Sequence, residues 1–271
     1  MAEYKYFLVE KKSGVTHVKI NRPEKANALN QTCWEEIQVI FEALSDDEAT
    51  RVIVLSGEGK HFTAGIDLEL LMSIQSLQSV SCEGRKREQL LTLIKKLQAP
   101  IKAIDHCRKP VIAAIHNACV GAGVDIISAC DMSYCTEEAY FSIKEIDMGM
   151  VADLGTLQRL PKIISPGFAA EMAYTGRKVF GPEAALKGIV NHCYKDKDEM
   201  MEEVEKTAQL IASKSPLSIR GTKEILQYTR DHSVEEGLNY MAIWNASMIL
   251  SNDLMEAFQA SIEKRQGAFE D

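Results

Sequence analysis

The sequence lacks the long apolar runs and terminal signals of membrane and secreted proteins. No apolar run in its 271 residues approaches the roughly 20 residues that cross a bilayer. The start, Met1 to Tyr6, has neither an apolar secretory core nor an Arg-rich amphipathic pattern, and the end, Ala268 to Asp271, lacks the Ser-Lys-Leu peroxisomal signal. We therefore expect no membrane insertion. Because no targeting signal is visible, a cytoplasmic location stays open.

Paired cysteines, clustered histidines and excess positive charge are also missing. The seven cysteines (33, 82, 107, 119, 130, 135 and 193) are scattered without a Cys-x-x-Cys pair, and the six histidines show no His-x-x-x-His cluster. This pattern predicts reduced thiols, no disulfide framework and no metal site. The 31 basic residues face 39 acidic ones, for a net charge of −8. Such a charge repels phosphate backbones, so we expect no nucleic-acid partner.

Alternating apolar runs and helical patterns predict an α/β fold with a largely parallel sheet. The segments 15–20, 51–56 and 109–116 have the apolar and β-branched composition of strands. Helical periodicity covers residues 31–44, and one or two amphipathic helices are predicted over residues 84–107.

The end of the chain is almost purely helical in pattern. We divide the chain into a main domain, residues 1–199, and a C-terminal helical region, residues 200–271. Helices are predicted at about 198–214, 216–230, 233–249 and 253–266. Their many apolar residues at helical spacing predict burial against the main domain or a neighbouring subunit.

Two glycine-containing turns are candidates for a ligand site. Gly121 to Asp125 lies between a predicted strand and a helix, where small residues let the backbone approach a ligand and a helix N-terminus offers free N–H groups. The turn Ala64 to Leu68 follows another strand and supplies a second donor. Two such donors form an oxyanion hole. For each turn, an ordinary tight turn before a helix remains the alternative.

Three acidic residues with apolar neighbours accompany these turns: Asp125, Glu145 and Asp153. Because burial raises the pKa of a carboxyl group, such residues suit general acid–base chemistry near neutral pH. Structural roles are the alternatives. Asp153 could cap the next helix, Glu145 could pair with Lys144 or Arg159, and Asp125 could pair with a buried donor.

Several long motifs give the sequence a resemblance to the crotonase (enoyl-CoA hydratase/isomerase) superfamily, and the similarity covers nearly the whole chain. The superfamily motifs are Asn21 to Asn30, Ala64 to Leu68 and Lys109 to His116. The motifs that resemble the Δ3,5-Δ2,4-dienoyl-CoA isomerase subgroup are Val120 to Asp125, Lys144 to Pro161 and Arg230 to Asn245.

The resemblance implies a particular architecture and assembly. We expect a crotonase-like spiral of βαβ units with a C-terminal helical trimerisation region, in a homotrimer or a dimer of trimers. The family's members imply a mitochondrial or peroxisomal matrix location.

The resemblance also assigns roles to the acids and turns. Within the substrate-binding turn (Ala64, Gly65, Ile66, Asp67 and Leu68), the backbone N–H of Ile66 would form the oxyanion hole together with that of Ala122, which replaces the usual glycine. Glu145 would take a proton from C2 of a 3,5-dienoyl-CoA, Asp153 would deliver one at C6, and Asp125 would position the dienoyl system.

Coenzyme A enters this reaction only as part of the acyl-CoA substrate. The resemblance places Lys25, Ala26, Asn27 and Ala28 near its nucleotide or pantetheine portion. No redox cofactor or metal is expected, because the oxyanion hole and two carboxyl groups supply both proton steps.

Three other activities within the superfamily are alternatives. An enoyl-CoA hydratase activates water between two glutamates, but here Asp125 is shorter by one methylene, roughly 1.5 Å, and Asp153 is an added acid. A Δ3-Δ2-enoyl-CoA isomerase usually needs only one acid. An RNA-binding relative is disfavoured by the negative charge and by the three acids. Acyl-chain preference depends on residues from roughly 68 to 100, where the resemblance is loosest.

Overall fold

The computed structural model describes residues 3–73, 79 and 81–271. The strands among them are β1 (Phe7–Lys12), β2 (Val15–Ile20), β3 (Val52–Gly57), β4 (Val111–Ile115), β5 (Ala118–Val120), β6 (Met132–Thr136), β7 (Tyr140–Ser142), β8 (Val179–Phe180) and β9 (His192–Tyr194). The helices are α1 (Gln31–Asp46), α2 (Leu68–Ser73), α3 (Glu83–Asp105), α4 (Ala122–Ala129), α5 (Thr156–Ile163), α6 (Pro166–Thr175), α7 (Gly181–Lys187), α8 (Lys197–Ala212), α9 (Pro216–Tyr228), α10 (Val234–Met248) and α11 (Asn252–Glu263). Short 3-10 helices cover Pro23–Lys25 and Lys144–Met148.

Two sheets organise the chain, as the alternating pattern predicts. The larger has the order β1-β2-β3-β4-β6-β9, with only the β1 edge antiparallel, and the smaller has the order β5-β7-β8. Strands β3 and β4 are buried along their whole length, because helices cover both faces of the parallel sheet. The fold prediction is therefore confirmed for the α/β class, and the predicted strands match β2, β3 and β4.

Helix α1 shows how the sequence specifies one side of the core. It begins after Asn30, whose side chain accepts a hydrogen bond from the Cys33 N–H at 2.9 Å. Its apolar residues recur at helical spacing and are buried beside α3, which is one helix of 23 residues. The buried residues are Cys33, Trp34, Ile37, Ile40, Phe41 and Leu44.

Within the loosely matched 68–100 segment, residues 74–78 and 80 lie outside the described residues.

The last four helices agree with the predicted four within a few residues. Helix α8 packs on the larger sheet through Met200, Val204 and Ala208, so the predicted boundary at 199/200 falls inside an element of the core. The division into two regions stays a prediction. None of the helices that the structure describes is long and apolar enough to cross a bilayer.

Candidate active site

The turn after β3 is held by the segment that precedes α1. Leu29 forms a parallel bridge with Ile66: its N–H donates to the Gly65 carbonyl at 2.8 Å, and its carbonyl accepts from the Asp67 N–H at 3.0 Å. In a parallel bridge of this kind, the N–H of the central residue points away from its partner. The N–H of Ile66 is therefore directed away from Leu29, and it has no acceptor among the described residues.

The start of α4 lies directly beside this turn. A bridge between Thr63 and Cys119 brings the two segments together. A Cβ built on Gly65 would lie 2.6 Å from the Val120 carbonyl oxygen and 3.6 Å from the Ala122 nitrogen, so only glycine fits this close approach. Ala122 is the first residue of α4, where the N–H has no partner within the helix. Two free backbone donors thus lie in adjacent segments.

Ala122 is compatible with the backbone of this site. It is not among the residues with positive φ, and its side chain is buried in the core at 1% exposure. The alanine therefore supplies the same backbone donor as a glycine without left-handed strain.

Asp125 is completely buried in the first turn of α4. Its Oδ1 accepts hydrogen bonds from the N–H and the hydroxyl of Thr156, both at 2.7 Å, while Oδ2 has no partner in the part of the chain that the structure describes. Burial raises the pKa of Asp125 to about 6; the bonds from Thr156 oppose the rise, and the charge of Asp153 adds to it. The predicted pairing with a buried donor is confirmed, and the donor is Thr156.

Glu145 lies over the start of α4. A Cβ built on Gly121 would be 3.2 Å from its Oε1, and its Oε2 is buried without a hydrogen-bond partner among the described residues. Burial, together with the charges of Asp125 and Asp153, raises the pKa of Glu145 to about 7.

The structural roles considered for Glu145 are wrong. Lys144 pairs with Asp147, and Arg159 pairs with Asp105 at 3.0 Å. Across the ranges that the structure describes, no ion pair includes Glu145. Its carboxyl group is therefore not held by a cation, and a proton on it is exchangeable with a ligand.

Asp153 lies in the loop before α5. The capping role considered for it is wrong, because the residue before α5 is Gly155, and no side chain caps that helix. The Asp153 carbonyl accepts a hydrogen bond from Gln98 at 2.8 Å, and the residue borders a cavity of about 710 Å³. Asp153 as a residue is exposed, but partial burial of its carboxyl group raises its pKa. Since its charge acts on both other acids, the structure brings the three together electrostatically.

The predicted CoA-binding segment lies next to the same turn. The Ala26 carbonyl accepts from the Ala64 N–H at 3.0 Å, and Lys25 is exposed, with a charge that helps to lower the pKa of Asp67. Ala28 is half-buried.

Asn27 differs from its neighbours in this segment because its side chain is used inside the protein. The side chain is fully buried, accepts from the Arg22 N–H at 2.9 Å and donates to the carbonyls of Glu58 and His61 at 2.9 and 2.7 Å. A positive φ of 56° fixes the residue in the turn. The amide therefore has its donors and acceptor committed to shaping the segment.

Leu68 and Asp67 complete the predicted turn without pointing at the free donors. Leu68 begins α2 and is 61% exposed. The Asp67 carboxylate accepts from the Glu69 N–H at 3.0 Å and pairs with Arg22. The sequence analysis did not identify Arg22 as a partner of the turn. The only sequence signal for Arg22 was that it lies inside the Asn21 to Asn30 motif.

None of the three acids lines an apolar cavity of about 330 Å³ that is formed in part by their neighbours in the chain, and the sequence did not predict this cavity. Ile143 and Ile146, on either side of Glu145, line it together with Thr156, the partner of Asp125. The remaining lining comes mainly from α5 and α6, including Leu157 and Ala169. The site thus combines free backbone donors, protonatable carboxyl groups and an apolar space.

Comparison with known proteins identifies the family. The sequence pattern described as enoyl-CoA hydratase/isomerase matches residues 10–271. The chain belongs to this family. It is 48% identical to the peroxisomal Delta(3,5)-Delta(2,4)-dienoyl-CoA isomerase of Arabidopsis thaliana, over 99% of this chain and 98% of the relative. It is 47% identical to the mitochondrial Delta(3,5)-Delta(2,4)-dienoyl-CoA isomerase of Mus musculus, over 93% of this chain and 77% of the relative.

The fold of the family is shared by solved structures. The crystal structure of an enoyl-CoA hydratase from Bacillus anthracis superposes with a TM-score of 0.88 at 28% identity, covering 98% of this chain and 99% of the other. The predicted crotonase-like fold is therefore confirmed.

Proposed function

We propose that this protein isomerises 3,5-dienoyl-CoA to 2,4-dienoyl-CoA in the β-oxidation of unsaturated fatty acids. The observation that carries this function is the set of three carboxyl groups beside two free backbone donors. The names and identities of the plant and mouse relatives support the same reaction.

The proposed mechanism begins at Glu145. Its carboxylate takes a proton from C2, and the charge spreads through the conjugated chain to the thioester oxygen. The N–H groups of Ile66 and Ala122 stabilise that oxygen where negative charge develops. Asp153 then protonates C6, which leaves the 2,4-diene.

Asp125 has a supporting role in this scheme. Its Oδ1 is committed to Thr156, and its Oδ2 is buried with no partner in the described part of the chain, so Asp125 is not the first base. Its charge keeps the pKa of Glu145 high, so that Glu145 both accepts and releases a proton near neutral pH. The proposed reaction requires no redox cofactor, because no electrons are gained or lost, and no metal, because the two backbone N–H groups stabilise the developing charge.

Hydration of a 2-enoyl-CoA is the second candidate, and the overall likeness to a bacterial hydratase structure favours it. A hydratase of this type holds water between two carboxyl groups. Here one of the two is the shorter Asp125, tied to Thr156, and the additional acid Asp153 has no task in hydration. These features support isomerisation.

Substrate binding in the proposal uses the neighbouring segments. Lys25, exposed beside the oxyanion turn, contacts a CoA phosphate, and the backbone from Ala26 to Ala28 borders the nucleotide or pantetheine portion. The apolar cavity formed by the neighbours of Glu145 lies beside the acyl chain, whose C6 reaches Asp153 at the border of the larger cavity of about 710 Å³.

The proposed assembly is a homotrimer or a dimer of trimers, formed through the C-terminal helices. Exposed apolar side chains on α10 and α11 support this, as does the exposed Leu250 between them. A mitochondrial or peroxisomal matrix is the proposed location, on the example of the two relatives.

The purified protein should be assayed with a 3,5-dienoyl-CoA and, separately, with a 2-enoyl-CoA. We expect formation of the conjugated 2,4-diene that falls about 100-fold or more in Asp153→Asn, which keeps the shape but removes the acid. Asp198→Asn, at an exposed position on α8, is the matched control and should retain activity. Dominant hydration that survives Asp153→Asn would leave the family correct and the proposed reaction wrong.

A further inference from the structure

A partly buried ion pair joins the segment before α1 to the turn that holds Ile66. The Arg22 Nη1 lies 2.5 Å from Asp67 Oδ2, and the two side chains are only 10% and 13% exposed. Arg22 is thus paired with the residue that directly follows Ile66.

The same guanidinium also bonds the segment before α1, which faces the turn. The Arg22 Nη1 donates to the Ala28 carbonyl at 2.8 Å, one residue before the Leu29 bridge to Ile66. The backbone on either side of Ile66 is bonded to Leu29, and the Asp67 carboxylate is held by Arg22. Rotation of the Ile66 peptide would therefore have to break the ion pair or the bridge.

Stability alone is a weak reason for this arrangement. Desolvating two charges offsets much of their attraction, so a buried ion pair often contributes little net stability. Its bonds are directional, however, and an oxyanion donor acts only if it lies about 2.7–3.1 Å from the developing charge. An ion pair beside such a donor suits orientation more than stabilisation.

We propose that Arg22 and Asp67 are positioning residues that direct the Ile66 N–H at the thioester oxygen of the substrate. This inference rests on the proposed function, since it assigns a support for its oxyanion hole. Neither side chain contacts the reacting atoms; both act through the backbone of the turn.

The test measures the hydrogen bonds to the thioester oxygen directly. Hexanoyl-CoA, labelled with ¹³C at the thioester carbonyl, cannot react, and its C=O stretch moves to lower frequency when donors bind the oxygen. We expect this shift in the wild type and less than half of it in Asp67→Asn. Complete loss of one oxyanion donor lowers kcat by about 10²–10³, and a misdirected donor should cost only part of that. With the 3,5-dienoyl substrate, we therefore expect kcat to fall about 10- to 100-fold, while KM changes less than about threefold.

Asp131→Asn is the matched control. Asp131 also accepts one backbone N–H, from Val111 at 2.8 Å, and one cation, Lys223 at 2.6 Å, but it lies away from the oxyanion turn. This variant should lose stability without changing the C=O frequency or kcat. Arg22→Lys keeps the charge but loses the second contact, and it should give an intermediate shift; it also serves if Asp67→Asn does not fold.

The possible outcomes distinguish a failure of the proposed function from a failure of the positioning role. If hexanoyl-CoA fails to bind the wild type, or binds without a C=O shift, the proposed function itself is wrong. If the wild type shows the shift, and Asp67→Asn or Arg22→Lys retains it in full with normal kcat, the positioning role is overturned. Equal loss of the shift in Asp131→Asn would also overturn it, because any loss of a buried charge would then suffice.

Discussion

At the scale of single residues, Glu145 has the environment that most favours proton exchange. Its Oε2 is buried with no partner across the described ranges, and burial, with the charges of Asp125 and Asp153, brings its pKa to about 7. A base of this pKa is ionised in about half of the molecules at neutral pH and is regenerated easily. As the pH falls through 7, Glu145 becomes protonated, so kcat/KM should decrease on the acid side.

Replacing Asp125 should shift the pH at which kcat/KM decreases on the acid side. Asp125→Asn keeps an oxygen for the bonds from Thr156 but removes a negative charge that raises the pKa of Glu145. The pKa of Glu145 then decreases, so the acid limb of the pH–kcat/KM profile should shift to lower pH. Asp198→Asn should leave the profile unchanged. A limb that stays in place or moves upward would contradict the electrostatic coupling of the two acids.

The sequence identified the three acids by type and neighbourhood, but it could not give their partners. Apolar surroundings are visible in a sequence, and they correctly indicated raised pKa values for Asp125, Glu145 and Asp153. The bond from Thr156 to Asp125 spans 31 residues, and the pair of Arg22 with Asp67 spans 45. Contacts at such separation depend on how the βαβ units stack, which no local pattern specifies.

At the scale of elements, two glycines set the distances within the site. Gly121 has φ 54° and ψ −118°, a combination that side chains rarely allow, and Glu145 lies against its Cα. Gly65 has φ 94° and lets the turn approach the start of α4. The sequence predicted both turns, because glycine between a strand and a helix is a local signal.

Gly121→Ala should impair catalysis and stability together. The new Cβ would lie 3.2 Å from Glu145 Oε1, so the carboxyl group has to move by a few tenths of an ångström, and alanine is also strained in this backbone conformation. Because a displacement of about 1 Å costs on the order of 100-fold in rate, this smaller one should cost up to about 10-fold, which steady-state assay of diene formation would measure.

Gly188→Ala is the matched control for this prediction. Gly188 also has positive φ, 81°, but a Cβ there meets no atom within 4 Å. The change should cost about 1–2 kcal/mol in the free energy of unfolding and leave the rate intact. Equal activity losses in the two variants would show that strain, rather than contact with Glu145, is responsible.

Secondary structure was largely predictable from local periodicity. The predicted helix 31–44 is α1, 31–46, and the last four helices begin and end within a few residues of the prediction. The second, three-stranded sheet was not predicted as a separate unit, because the pairing of β5 with β7 and of β7 with β8 joins distant parts of the chain that no local period reveals.

At the scale of the whole molecule, the C-terminal helices leave a large apolar surface uncovered in one chain. The exposed residues are Val234, Leu238, Ile243, Leu250, Met255, Phe258 and Ile262, at 57% to 92% exposure. Burying one such side chain contributes about 1.5–3 kcal/mol, so a surface of this kind is typical of an interface between subunits.

Charged substitutions on this surface should weaken assembly. Leu238→Glu combined with Leu250→Glu should lower the molar mass measured by size-exclusion chromatography with light scattering, from a trimer or hexamer toward a monomer. Val39→Glu, at a 54% exposed position on α1, is the control and should leave the mass unchanged. A wild-type monomer, or an unchanged assembly in the double variant, would exclude these helices as the interface.

The position of a solvent-derived deuterium in the product tests the central claim most directly. The reaction of a 3,5-dienoyl-CoA would be run in D₂O, and the product analysed by NMR and mass spectrometry. Because Asp153 exchanges its proton with solvent before delivering it, we predict a 2,4-dienoyl-CoA with deuterium at C6, absent with Asp153→Asn. A 2,4-dienoyl-CoA without deuterium at C6, or the same C6-labelled product formed at the wild-type rate by Asp153→Asn, would contradict isomerisation by Glu145 and Asp153.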